Sequence, residues 1–397
     1  TTALVLESGD WPELRGPGRL GEYHGPAINV AWSTKPPPSV WQRRIGPAWS
    51  SLVIVGGYLF TQEQRGEDEA VVALDAATGH ERWSHVDSTR FYDGQGGAGP
   101  RATPTFDAGK LYSLGATGVL NCLDAATGSP VWQQNIAKDS GASAPMWGFS
   151  SSPLVVDGVV VVYAGGETGK ELLGYDAATG RLKWTAEAGP ISYSSGQVMR
   201  HEGRNLVLFV SDRGLAAIEP ATGKIVSEYV ANSPNIWRAV QPRPLDDGGV
   251  LFGSEDLGLV LVGAIGPGAS SLEPRWTSRA MKPAYNDFVI QDGSIYGFDD
   301  AVFECVDLAS GKRRWRGGRF GHGQVLLLVE QKLLLVISES GAAVLVAARP
   351  DKLEELGRFQ AVTGKTWNHP TIAHGRLFVR NDEEIACYDV AASTGEH

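Results

Sequence analysis

Three cysteines in 397 residues, Cys122, Cys305 and Cys387, are too few and too scattered to make a disulfide framework. No two are adjacent and no Cys-x-x-Cys pair occurs, which removes the usual zinc and thiol-redox chemistries. Long apolar runs are missing as well. The longest candidate, VLLLVEQKLLLVIS at 325–338, is broken by Glu330 and Lys332 and falls short of the roughly 20 residues that span a bilayer. Positive charge is in deficit: 35 Lys and Arg against 45 Asp and Glu leave a net charge of −10, which disfavours nucleic acid and anionic lipid as partners. Catalytic signatures are absent too, with no Gly-x-Gly-x-x-Gly leading into a helix, no Walker A loop, no Gly-x-Ser-x-Gly, no His-Glu-x-x-His and no EF-hand loop. No secretory leader is visible in the opening TTALVLESGDW, although an excised leader leaves no trace in a mature chain.

What the sequence does have is glycine, 50 residues of it with 22 prolines, and a motif that returns. ALDAATGHERW (73–83) comes back as CLDAATGSPVW (122–132), GYDAATGRLKW (174–184) and CVDLASGKRRW (305–315). The acidic residue recurs at Asp75, Asp124, Asp176, Glu219, Asp307 and Asp389, with gaps of 49, 52, 43, 88 and 82 residues. The two double gaps each hide a degenerate copy, ending at Trp276 and Phe359, so the count is eight. The closing aromatics give the same phase: Trp83, Trp132, Trp184, Tyr229, Trp276, Trp315 and Phe359. The last unit stops short of its aromatic, and Trp41 stands in phase near the other end. Each unit reads as four short strands, for example SSPLVVDG, VVVVYAG, KELLGYD and RLKWTAE around 151–187, with Asp-Gly and Asp-Ala-Ala-Thr-Gly as turns. A period of 40–50 residues with four strands predicts an all-β, eight-bladed β-propeller whose ring is closed by the N-terminal strand. Residues 1–40 form an N-terminal extension in this reading, and 41–397 form the propeller. The cysteines stand two residues before the motif's Asp, where other copies have Ala or Gly, so they mark a tightly packed site with no room for a larger side chain. The motif itself is structural.

The repeated LDAATGxxxW resembles the quinoprotein-like (PQQ-repeat) β-propeller family, over about 41–392, and in size and layout it is most similar to the BamB-like propellers of outer-membrane assembly. That branch implies an exported, non-catalytic scaffold or binding protein of the bacterial cell envelope, periplasmic or secreted, with lipid anchoring before processing left open. It carries no cofactor and no metal. The family's alternative is a PQQ-dependent alcohol or sugar dehydrogenase holding PQQ with Ca²⁺, for which Asp287, in YNDF, would be the base. Against that branch stand the lack of a Cys–Cys pair, the lack of a companion Glu and the few long insertions.

Candidate binding residues come from aligning the innermost strand of each unit. One position reads Ser50, Ala102, Ser151, Ser194, Gln241, Asn286, Gln324 and Asn368; the one before it reads Trp49, Arg101, Ser150, Tyr193, Val240, Tyr285, Gly323 and Trp367. Equal phase means equal depth around the channel mouth. A ring of neutral hydrogen-bonding groups serves either the strand-end amides or a polar ligand. The predicted ligand site is Trp49, Ser50, Arg101, Ser151, Tyr193, Ser194, Gln241, Tyr285, Asn286, Gln324, Trp367 and Asn368. Amides and hydroxyls under aromatic faces suit a sugar-like or quinone-like molecule; a phosphate would want more than Arg101. His322 and His369 fall out of phase and are not expected to share a metal. The acidic doublets Asp246–Asp247, Asp299–Asp300 and Glu383–Glu384 read as solvated turns. The expected partner is a protein or a polar small molecule such as a carbohydrate, bound by a monomer.

Overall fold

The structure is a computed structural model that describes residues 3–231, 238–265 and 270–392. Eight blades, each a four-stranded antiparallel core, follow one another around a central channel. Blade 1 comprises Val53–Val55, Tyr58–Arg65, Asp68–Asp75 and Glu81–Asp87, running from the channel outwards. Blades 2 to 7 repeat that order. Blade 8 takes Thr371–Ala373, Arg376–Arg380 and Glu384–Asp389 from the C-terminal end and its outermost strand, Ser39–Arg44, from the N-terminal end. Trp41 pairs with Cys387 there, so the ring closes as the repeat predicts.

The reason for the repeated motif is now physical. Asp75 accepts hydrogen bonds from the Ala77 and Thr78 amides (3.0 and 2.9 Å) and from the Thr78 hydroxyl (3.0 Å), which winds the chain into a tight turn. Gly79 completes that turn at φ 73°, and the indole of Trp41 from the preceding blade lies on it; a Cβ there would sit 2.7 Å from the ring. The contact repeats as Trp83 on Gly128, Trp132 on Gly180, Trp184 on Gly223 and Trp276 on Gly311. Each indole N–H donates to a carbonyl of the same turn, as in Trp132 to Ala177 (2.9 Å) and Trp184 to Pro220 (2.8 Å). Burying such a side chain is worth roughly 1.5–3 kcal/mol, and its hydrogen bond about 1 kcal/mol more. Across their own blades four indoles face the small residue of the motif: Ala73 opposite Trp83, Cys122 opposite Trp132, Gly174 opposite Trp184 and Cys305 opposite Trp315; in the degenerate copy Trp276 faces Leu261. The three cysteines are buried free thiols in three different blades.

The N-terminal segment does more than close the ring. Trp11 bridges to Ile54 of blade 1, and Glu22–Tyr23 pairs in parallel with Leu327 and Leu328 of blade 7, giving that sheet a fifth strand. Between these anchors the chain runs across the channel. The Arg19 guanidinium donates to the carbonyls of Ser152 (3.2 Å), Gly196 (3.1 Å) and Pro153 and to the Thr105 hydroxyl (3.0 Å), with Glu13 at 2.6 Å as its counter-ion. Arg15 donates to the Phe288 carbonyl (2.7 Å). Gln197 and Arg243 reach back to the carbonyls of Gly18 and Leu20. A buried cation is costly unless fully paired, and the inner strand ends supply the pairing.

One expectation fails. Asp299 is not a solvated turn residue: it is 3% exposed, held by Lys282 (2.8 Å) and Arg316 (3.0 Å), because its strand end folds inward beside the equally buried Glu304, which Arg316 also binds.

Candidate functional site

The segments that lead into the innermost strands converge at one end of the channel. They enclose a cup of about 200 Å³, open at its rim, to whose lining the N-terminal segment adds Leu14. Seven of the predicted residues line it: Trp49, Arg101, Tyr193, Gln241, Tyr285, Gln324 and Trp367. Ser50, Ser151, Ser194, Asn286 and Asn368 are buried and do not line it. Four of these five hydrogen-bond to backbone: Ser194 donates to the Val240 carbonyl (3.0 Å), Asn368 to the Ser50 carbonyl (2.8 Å), Ser50 accepts from the Gln62 amide (3.3 Å) and Asn286 from the Ala284 amide (3.2 Å).

The cup is lined instead by the next residue along in six blades. Ser51, Thr103, Ser152, Ser195, Asp287 and His369 join Gln241 and Gln324 to give one polar residue per blade. These residues are chained around the axis. The His369 amide donates to Ser51 Oγ, the Ser51 amide to Thr103 Oγ1, the Thr103 amide to Ser152 Oγ and the Ser152 amide to Ser195 Oγ, each at 2.9 Å. The Gln241 amide donates to Asp287 Oδ1, also at 2.9 Å. In five of the eight blades the amide is thereby satisfied by the neighbouring blade's side chain. The signal was in the sequence, since SS, SS, SS and ND fill both adjacent positions in blades 1, 3, 4 and 6. Side chains alternate faces along an extended chain, so the two positions point opposite ways and spacing alone does not say which points in.

Above this ring stand aromatics. Trp49 packs on Trp367 (centroids 4.7 Å apart) and Trp367 on Tyr285 (5.0 Å). Across the ring, ahead of blades 3 and 4, Trp147 packs on Tyr193 (4.9 Å). Trp147 escaped the repeat alignment because it lies in the insertion between blades 2 and 3, after the short helix Ile136–Ser140. His322 stacks on Tyr285 near Asp300, while His369 sits by Asp287.

Arg101 is spent within the protein. Its guanidinium binds Asp93 and the carbonyls of Gly97, Ala98 and Trp147, bracing the hairpin of 92–98 at the rim. Burial lowers its pKa against the pull of Asp93. Asp287 is buried but for a 4% exposure at the cup. Burial works to raise its pKa, but Arg15 (3.6 Å), His369 (3.4 Å) and the Gln241 amide together hold it below the usual carboxylate range. Burial depresses the His369 pKa despite Asp287, which keeps the imidazole neutral at pH 7.

The family's dehydrogenase branch implies a Ca²⁺–quinone pair. The donors here do not fit the ion: Ca²⁺ takes six to eight oxygens, whereas Asp287 shares its oxygens with Arg15 and His369. Among the described residues no group of three or more His, Cys, Asp or Glu could hold a metal.

By fold and repeat, then, the class is a closed eight-bladed β-propeller of PQQ type. A family model described as outer membrane protein assembly factor BamB matches residues 67–317, and the chain belongs to that family. Relatives include the outer membrane protein assembly factor BamB of Burkholderia pseudomallei (strain K96243), 25% identical over 247 residues, which is 53% of this chain and 63% of that protein. A quinohemoprotein alcohol dehydrogenase of Comamonas testosteroni is 31% identical over 160 residues, 35% of this chain and 21% of that protein. The matches thus span less than two thirds of either relative. Among solved structures, BamB from Moraxella catarrhalis superposes with a TM-score of 0.63 at 15% identity, covering 89% of this chain and 99% of that one. Quinohemoprotein alcohol dehydrogenase ADHIIG from Pseudomonas putida HK5 gives 0.68 at 14% identity, covering 98% and 81%. At these identities the likeness is one of fold. No described helix is long and apolar enough to cross a membrane.

Proposed function

We propose that this propeller is a binding protein of the bacterial cell envelope that takes a polar, sugar-like ring in the cup and has no redox chemistry of its own. One observation carries the reading: the cup joins aromatic walls to a polar floor, while the carboxylate in that floor is already bound to Arg15. A base must be able to take up a proton near working pH, and Asp287 is held the other way. Aromatic faces with convergent hydroxyls and amides suit the alternating apolar faces and polar edges of a sugar. The envelope location rests on the assembly-factor family. A protein partner at an outer surface is compatible with the cup and is tested separately, by pull-down from envelope extracts.

The test of the cup is a titration followed by the fluorescence of Trp49, Trp147 and Trp367. Saturable quenching by a monosaccharide or short glycan, lost in Trp367→Ala, is the expected result. A quinone absorbance band and dye-linked alcohol oxidation on adding PQQ with Ca²⁺ would overturn it.

A further inference from the structure

The floor of the cup is not chemically uniform, and its asymmetry defines the ligand more narrowly. Blades 1 to 4 contribute Ser51, Thr103, Ser152 and Ser195, four small hydroxyls in succession. Each oxygen already accepts a main-chain amide from the preceding blade, which uses one lone pair. None of the four O–H groups has an acceptor among the described residues, so this arc offers four donors to whatever fills the cup. Blades 5 and 7 contribute Gln241 and Gln324. Their amide N–H groups are committed to the carbonyls of Gly196 (3.4 Å) and Trp367 (3.0 Å), while both Oε1 atoms are buried without a partner. A buried amide oxygen left unpaired is destabilising, and that cost is relieved when a donor reaches it.

The cup is thus donor-rich over blades 1 to 4 and acceptor-rich over blades 5 and 7, between one aromatic wall of Trp49, Trp367 and Tyr285 and another of Trp147 and Tyr193. The ligand's acceptor has to be neutral. Arg101 and Arg15 are committed to Asp93 and Asp287, and those carboxylates would repel an anion. A neutral acceptor at one edge, hydroxyl or N–H donors at the other, and apolar faces between them describe an acylated amino sugar. We infer that the cup binds an N-acylated hexosamine, its amide carbonyl over the hydroxyls of Ser51, Thr103, Ser152 and Ser195 and its ring hydroxyls toward Gln241 and Gln324. This rests on the reading of the cup as a sugar site and goes further by fixing which sugar.

The experiment compares N-acetylglucosamine, glucosamine and glucose on the wild-type chain by tryptophan fluorescence and calorimetry. The expected result is binding of N-acetylglucosamine at least ten-fold tighter than either of the others. Equal binding of all three overturns the acyl-group assignment and leaves the sugar reading standing; binding of none overturns both. Ser195→Ala should abolish the preference for the acetylated sugar, whereas Ser113→Ala, which removes a buried hydroxyl from a strand of blade 2, should leave it intact. Should Ser195→Ala misfold, Gln324→Met supplies the second reading: it removes the acceptor oxygen at similar side-chain length and should weaken all three sugars ten-fold or more, and unchanged affinity overturns the acceptor arc.

Discussion

The outer ring of indoles and the inner ring of polar side chains follow the same eightfold order, yet they meet different demands. In the outer ring the same chemistry recurs from blade to blade, with an indole on a glycine and its N–H on a turn carbonyl. In the inner ring position is kept while chemistry changes, from hydroxyl through amide and carboxylate to imidazole. The outer contact is a packing joint between two sheets, and one solution recurs at five of the joints. Five of the inner residues close a neighbour's amide hydrogen bond, which a hydroxyl or a carboxylate oxygen can do equally well. That latitude leaves the inner ring free to carry a ligand.

The comparison breaks most visibly at the outer ring. Trp132→Ala removes a buried indole and its hydrogen bond to Ala177 and should cost about 3–5 kcal/mol in urea unfolding. Gly128→Ala, which places a Cβ 2.5 Å from the Trp83 ring at φ 73°, should cost roughly half as much, from left-handed strain and displacement of the indole. Next comes the channel plug. Arg19→Met strands three inner carbonyls and Glu13, and should lower stability by about 3 kcal/mol.

Between the rings lies a group that responds to pH. Burial, aided by Asp87, raises the Glu69 pKa to about 7, against the Ala116 amide and Arg101. Its folded pKa lies above its unfolded one, so its contribution is whole below about pH 4.5 and is lost as pH rises through about 7. The loss is on the order of 3 kcal/mol. Glu69→Gln should flatten the stability profile across that window in chemical denaturation; an unchanged slope would reject the assignment.

The smallest stability effect belongs to the inner ring. Ser152→Ala leaves the Thr103 amide unpaired and should cost about 1 kcal/mol, with a far larger loss of sugar binding in fluorescence titration. A greater loss of stability than in Trp132→Ala would erase the distinction between the rings.

How much of this could be read from residues follows from the same contrast. The blade count, the strand order and the closure through Trp41 were legible because the outer joint is repeated almost letter for letter. The aromatic residues of the cup were legible as Trp49, Tyr193, Tyr285 and Trp367, but Trp147 stands outside the repeat. The polar ring was read one residue early in six blades, at Ser50 for Ser51 and Asn286 for Asp287. A turn glycine fixes register along the strand and leaves the facing side unmarked. The passage of residues 11–23 through the channel had no signal, since a single segment has no second copy to align with.

The residues alone determined that eight like sheets would stack, because the turn motif and its closing aromatic return at a steady period along the chain. Only the closed ring decided what the centre became. Arg15 lies 272 residues from Asp287, and Asp287 lies 82 from His369; their pairing exists only once the blades bring them to a common axis.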